Sequence, residues 1–258
     1  MGLEIIGLLA ASVGASYGWW KLQQIRDRRL QLERPRFDAD LEVAITVAQH
    51  EARTRNHAHL WPLHLIYGLL QDEALTAAIA RCGGDATAME NHVQDELDRH
   101  KDPVDDEAGQ EAAHALGIAY AHARWAERSA TCTDLWSRLA RTDAARAAAK
   151  AGHVDSIALL FLLVHGMPEQ STDLPDRVDV HVVLRNDDYT TKEFVVDILR
   201  DQFGLDEANA TTRMEETHNG GRTIIGRFKL ALARDKIAAA RTRAHEAGYP
   251  LWIGVEDC

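Results

Sequence analysis

The side chains of this sequence that could do chemistry fall into two groups. Asn186, Asp187 and Asp188 stand together where an alternating apolar run gives way to helical spacing, and His218 follows further on. Two carboxylates and an imidazole in one pocket would make a general acid/base set. No nucleophile accompanies them in a recognisable motif, and Asn-Asp-Asp at such a junction also reads as an Asx turn. The second group is His50, His57, His59 and His64, a density that would suit a metal held by neutral imidazoles. Position 54 is Thr54, so there is no HExxH motif, and no cysteine pair lies nearby; no metal is expected. Cys82, Cys132 and Cys258 are far apart and odd in number, which argues for a reducing compartment and against a disulfide framework. No G-x-x-x-x-G-K-[ST] phosphate loop occurs anywhere.

The elements that must position these side chains can be read from periodicity. Val178, Val180, Val182 and Leu184 alternate with Asp179, His181 and Arg185, the pattern of a half-buried strand. Asn186 to Tyr189 ends it. Thr190 and Glu193 are spaced as a capping box for a helix whose apolar stripe is Phe194, Ile198, Leu199 and Phe203. Gly204 stops that helix, Asp206 caps the next, and Gly220-Gly221 ends it just past His218. Thr223 to Phe228 reads as a second strand, Leu230 to Ala247 as a long helix whose Ala- and Arg-rich face is solvated, and Leu251 to Val255 as a third strand. The order βααβαβ implies an α+β fold: a three-stranded, largely antiparallel sheet with helices on one face.

Upstream the period is helical. Leu41, Ala44, Ile45, Ala48 and Ala52 recur at spacings of three and four, and short amphipathic helices follow at Pro62 to Leu70, Leu75 to Ala80 and Ala86 to Leu97. The same order then returns at Ala112 to Ala126, Thr133 to Leu139, Ala144 to Ala151 and Ile157 to Val164. Gly152 stands where Gly83 stood, and Asp155 where Asp85 stood. Two copies of a four-helix unit predict an all-α bundle with internal pseudo-twofold symmetry.

Composition bounds the rest. The chain has 258 residues, 46% hydrophobic and 27% charged, with a net charge of −11. That suits about two globular domains, excludes wholesale disorder, and argues against nucleic acid as a partner. The charge is unevenly spread, +3 over residues 1–37, −11 over 38–174 and −3 over 175–258. From Ile5 to Trp20 there is no charged residue, and Lys21, Arg26, Arg28 and Arg29 follow. At 1.5 Å per residue this run reaches about 24 Å. With Tyr17, Trp19 and Trp20 as an interfacial belt, residues 1–22 read as a membrane anchor, and a peripheral or buried amphipathic helix is the alternative. The basic residues after it place everything downstream on the cytoplasmic face of an inner membrane. A basic spacer at 23–37, the helical bundle at 38–168, a polar linker at 169–177 and the α+β domain at 178–258 complete the division.

Two resemblances follow from these residues. The stretch AQHEARTRNHAHLWPLHLIYGLL leading to ARCGGD resembles the first Clp repeat, the module at the N-terminus of Clp-type unfoldases, and Gly109 to Met167 is similar to the second repeat. In that family the module binds substrates and adaptors and does no chemistry, and a His or basic residue at the start of its second helix is structural. VVLRNDDYTTKEFVVDIL, ATTRMEETHNGGR and GYPLW, in that order, resemble ClpS, the adaptor that recognises N-terminal degrons. The second resemblance implies a pocket for a first residue that is large and apolar. Asn186, Asp187 and His218 would hold the free α-ammonium by charge-assisted hydrogen bonds. Val195, Met214 and Leu251 would line the apolar pocket, with Asp188 and Thr190 at its rim. Lys192 stands where the family commonly has an apolar residue and Thr217 where it has Val, and both make the mouth more polar. Lys236 matches a contact with the unfoldase, while Ala231 replaces a frequent acidic residue.

The function these readings support is a non-enzymatic adaptor with no cofactor. It would deliver degron-bearing proteins to a Clp-type AAA+ unfoldase and its peptidase. The alternative is a regulatory one, in which an intramolecular contact with its own Clp repeat masks the adaptor face or sequesters Clp components.

Overall fold

Residues 37–99, 107–172 and 179–257 are described by a computed structural model. The expected anchor at 1–22 and all of the basic spacer but Phe37 lie outside the described residues. Contacts divide the chain into two units, one up to Ser156 and one from Ile157.

The first unit holds α1 (Ala39–Thr54), α2 (Pro62–Leu69), α3 (Glu73–Arg81), α4 (Ala86–Arg99), α5 (Glu107–Trp125), α6 (Cys132–Leu139) and α7 (Asp143–Ala151). Four of these helices start on a side chain that takes an orphan amide: Asp38 accepts from Leu41 N, Asp72 from Leu75 N, Thr131 from Asp134 N and Thr142 from Ala145 N. The apolar stripes then close a core that includes Leu41, Ile45, Leu65, Ile79, Leu135 and Trp136. Repetition shows in the backbone as well. Asn56 and Glu127, just past the first helix of each copy, have φ of 57° and 53°, and Gly83 and His153, just past the third, have 77° and 58°. The counterpart of Gly83 is therefore His153, not Gly152 as the sequence suggested. Gly152 is glycine for another reason. The Asp85 amide donates to its carbonyl at 2.9 Å, and a Cβ there would collide with the Met89 side chain.

A further helix, α8 (Ser156–His165), begins at the division and continues into the second unit, followed by β1 (Asp179–Arg185), α9 (Lys192–Phe203), α10 (Glu207–Gly220), β2 (Arg222–Lys229), α11 (Leu230–Glu246) and β3 (Trp252–Asp257). The sheet order is β2-β1-β3 and both pairings are antiparallel. Val180, Val182 and Leu184 of β1 face Ile198, Met214, Ile237 and their neighbours on α9, α10 and α11. β2 carries one extra residue, Ile225, at the step between Val182 and Val183 of β1, while consecutive residues of β1 are buried because both of its faces are covered. Val183 and Trp252 close a second small cluster with Phe161 of α8.

Within the stretch expected as a polar linker, Gln170 donates its amide to the Val255 carbonyl at 3.0 Å and accepts from the Val255 amide at 2.9 Å. Among the described residues no single helix is long and apolar enough to cross a membrane.

Candidate functional site

The strand-to-helix loop of the second unit is organised by one carboxylate. Asp187 Oδ1 accepts from the amides of Tyr189 at 2.8 Å and Thr190 at 2.7 Å, and Oδ2 accepts from the Thr190 hydroxyl at 2.8 Å. This is the Asx turn anticipated for the sequence, and it changes the cap. Thr190 is committed to Asp187, so Thr191 caps α9 by accepting from the Phe194 amide; the capping box drawn from Thr190 to Glu193 does not form. Burial raises the Asp187 pKa above the ordinary carboxylate value, against the lowering effect of these hydrogen bonds and of His165.

The loop is tied to the end of α10. The Asn186 amide donates to the Gly221 carbonyl at 2.9 Å, and Gly221, in the left-handed region at φ 78°, is the residue that ends the helix. This brings Asn186 and Asp187 to the helical turn that carries His218. Met214, Thr217 and His218 share one face of α10, three and four residues apart. Met214 and Thr217 are buried and His218 is exposed. Leu251, just before β3, is buried in the same core, with Val195 packed against it. The C-terminal end of α10 concentrates partial negative charge beside the Asp187 loop, which favours a cation there.

Two expected features read differently in place. The Thr217 hydroxyl donates to the Arg213 carbonyl at 2.8 Å, so its polarity is spent on the helix backbone instead of the pocket mouth. Lys236 donates to the Gln202 carbonyl at 2.5 Å and lies 5.9 Å and 6.0 Å from the ring centroids of Phe203 and Phe228, apart from the loop residues. Lys192 is exposed at the start of α9, and Asp188 is exposed on the loop.

Sequence reasoning missed a group next to this site. His165 of α8 donates from Nε2 to the Pro250 carbonyl at 2.7 Å, since a carbonyl can only accept. Arg241 of α11, read as part of a solvated face, donates to the Ile253 carbonyl at 2.6 and 3.0 Å and to the Gln170 carbonyl at 2.8 Å. The one sequence signal was Gly254 inside an apolar strand, a mark of close approach. A Cβ there would meet the Gln170 side-chain oxygen, and the Trp252 ring at 2.6 Å.

In the first unit, His57 and His64 bond each other at 2.9 Å, and the Trp61 amide donates to His64 Nδ1 at 2.9 Å. His64 must therefore carry its proton on Nε2 and donate it to His57. Burial, with His57 and Arg55 nearby, lowers its pKa to about 3. Among the described residues no group of three or more His, Cys, Asp or Glu could hold a metal. Burial pushes the Cys132 thiol up to about 12, which makes it a poor nucleophile near neutral pH.

This architecture is an adaptor-type α+β unit joined to a helical repeat unit. Residues 176–254 match the family model of the ATP-dependent Clp protease adaptor protein ClpS, and residues 36–135 match the Clp repeat (R) N-terminal domain. ATP-dependent Clp protease adapter proteins ClpS of Wolinella succinogenes and Cupriavidus taiwanensis are 36% and 41% identical over 77 and 76 residues. Those matches cover 30% of this chain and 76% and 70% of theirs. The ClpS of Paracidovorax citrulli is 41% identical over 70 residues, and the chain spans 57% of its length. The solved structure of Agrobacterium tumefaciens ClpS2 bound to L-phenylalaninamide aligns with 32% identity and a TM-score of 0.30, over 31% of this chain and 95% of that one. The chain belongs to the ClpS family, its ClpS domain fused to a Clp repeat domain.

Proposed function

We propose that the ClpS unit captures the free amino terminus of proteins whose first residue is large and apolar, and presents them to a Clp-type AAA+ unfoldase without catalysing a reaction. The observation that carries this reading is the bond from Asn186 N to the Gly221 carbonyl. It ties the loop that carries Asn186 and Asp187 to the end of the helix that carries His218 and buried Met214. The task is to bind an α-ammonium and an apolar side chain together. Asp187 supplies charge and Asn186 and His218 supply further polar partners, while Val195, Met214, Thr217 and Leu251 supply an apolar wall. Acetylation of the peptide removes the charge and two donors and leaves buried acceptors unpaired.

The test is binding of short peptides that differ only in their first residue. Peptides beginning with Leu or Phe are expected to bind at least about tenfold more tightly than their acetylated copies or a Ser-first peptide, and Asp187→Ala should erase that difference. Equal affinity for free and acetylated peptides would sink the reading. Asp187 must be ionised to hold the ammonium, and its pKa is raised, so affinity should weaken on acidification at a higher pH than an ordinary carboxylate would impose. Lys236→Ala should leave peptide binding intact and weaken association with the unfoldase; an unchanged unfoldase affinity would remove Lys236 from the docking face.

A further inference from the structure

The residues that match the ClpS family model begin at 176, yet the second unit begins at Ile157. The intervening segment is bound to the strand that leads away from the pocket at successive points. His165 holds the carbonyl of Pro250, the residue before pocket-lining Leu251. Arg241 joins the Ile253 carbonyl to the Gln170 carbonyl, and the Gln170 side chain satisfies both backbone groups of Val255. The His165 ring also lies against Phe161, 4.5 Å between centroids, and Phe161 is buried with Val183 and Trp252. The imidazole is fixed on its ring side by Phe161 and at its Nε2 tip by Pro250.

We infer that His165, from outside the family-matched residues, is a positioning residue of the amino-terminus site, holding Pro250 and so the Leu251 wall at the depth that selects the bound side chain. The inference rests on the proposed amino-terminus reading. Its electrostatic setting agrees with it: His165 and Asp187 each favour the charged form of the other. Without the bond to Pro250, Leu251 is no longer held at one depth. The loss should fall on discrimination among apolar first residues, more than on recognition of the free amino group.

The test uses the full chain with His165→Ala and His165→Gln, the glutamine amide still being able to donate to the Pro250 carbonyl. For His165→Ala, affinity for a Leu-first peptide should fall about three- to tenfold, the scale of one neutral hydrogen bond, and the ratio of Leu-first to Trp-first affinity should change. His165→Gln should restore both to within about twofold of the parent. The Leu251 methyl resonances, read without any peptide, should shift in His165→Ala and stay in place in His165→Gln. Unchanged affinity, ratio and methyl shifts in His165→Ala would overturn the inference, as would equal losses in the two variants. If the parent chain does not distinguish free from acetylated peptides, the amino-terminus reading fails on that measurement, and the Leu251 shifts still decide whether His165 sets the wall.

Discussion

The two copies of the helical repeat solve one problem with opposite electrostatics. Each short second helix starts buried, and its third residue must reach back to satisfy the amide that precedes the helix. In the first copy that residue is His64, which accepts from Trp61 N and donates a hydrogen bond to His57, whose ring stacks on Trp61 at 4.3 Å. In the second it is Asp134, which accepts from the Thr131 amide and hydroxyl, from Arg128 at 2.5 and 2.9 Å, and from His122 at 3.0 Å. Burial alone would raise the Asp134 pKa, but Arg128, His122 and Thr131 outweigh it and hold the carboxyl well below the usual range. A buried polar residue can be kept neutral or can be kept charged. Either works provided every lone pair and proton is used.

The comparison breaks most sharply at Asp134. Asp134→Ala leaves Arg128 and the Thr131 amide without their acceptor, and about 3–5 kcal/mol of stability should be lost in urea unfolding. A loss below about 1 kcal/mol would show that the charged arrangement is incidental. Acid separates the copies next. The folded-state pKa of His64 lies below its unfolded value, so the unfolded chain takes up the proton first and stability falls as pH drops below about 6.5. By pH 4 the cost is about 3 kcal/mol. His64→Gln should flatten that slope. The stability that Asp134 contributes is present above the unfolded carboxylate value near 4 and is lost only as pH falls below it. One slope for both variants would contradict the contrast.

Smaller differences sharpen it. α1 and α2 approach closely because Gly68 has no Cβ: one placed there would collide with the Ala44 carbonyl oxygen. Gly68→Ala should therefore cost about 1–3 kcal/mol by thermal unfolding, and a neutral outcome would mean that the helices can part without loss. The caps of the third helices are expected to differ least. Asp72→Ala and Thr142→Ala should each cost about 1 kcal/mol. Asp72 should cost the more, since its bond to Leu75 N is 2.8 Å against 3.2 Å from Ala145 N to Thr142; the reverse order would show that the cap distance does not govern the cost.

Much of this was legible in the sequence, for identifiable reasons. Helices with a one-sided stripe, as in α1 and α9, or with a capping Asp, as in α10, declare themselves, and an Asn-Asp-Asp turn at a strand end marks a braced loop whatever it binds. What escaped the sequence was choice between equals and contact at a distance. Thr190 and Thr191 are adjacent and chemically alike, so only the commitment of Thr190 to Asp187 reveals which one caps α9. α8 is apolar nearly all round, and such a helix does not say what it will pack against. Gln170 and Arg241 sit in stretches that read as solvated, and their partners are backbone groups, which leave no pattern in sequence.

The amide of Gln170 has a consequence for solubility. β3 is paired with β1 on one side only, and a strand rim with unpaired amides and carbonyls is a template for pairing with another molecule. By filling both backbone groups of Val255 with a side chain, the chain blunts that rim without adding a strand. A chain begun at residue 176 but carrying β3 to its end would keep Val255 and lose Gln170, and its bare rim is expected to pair with another molecule.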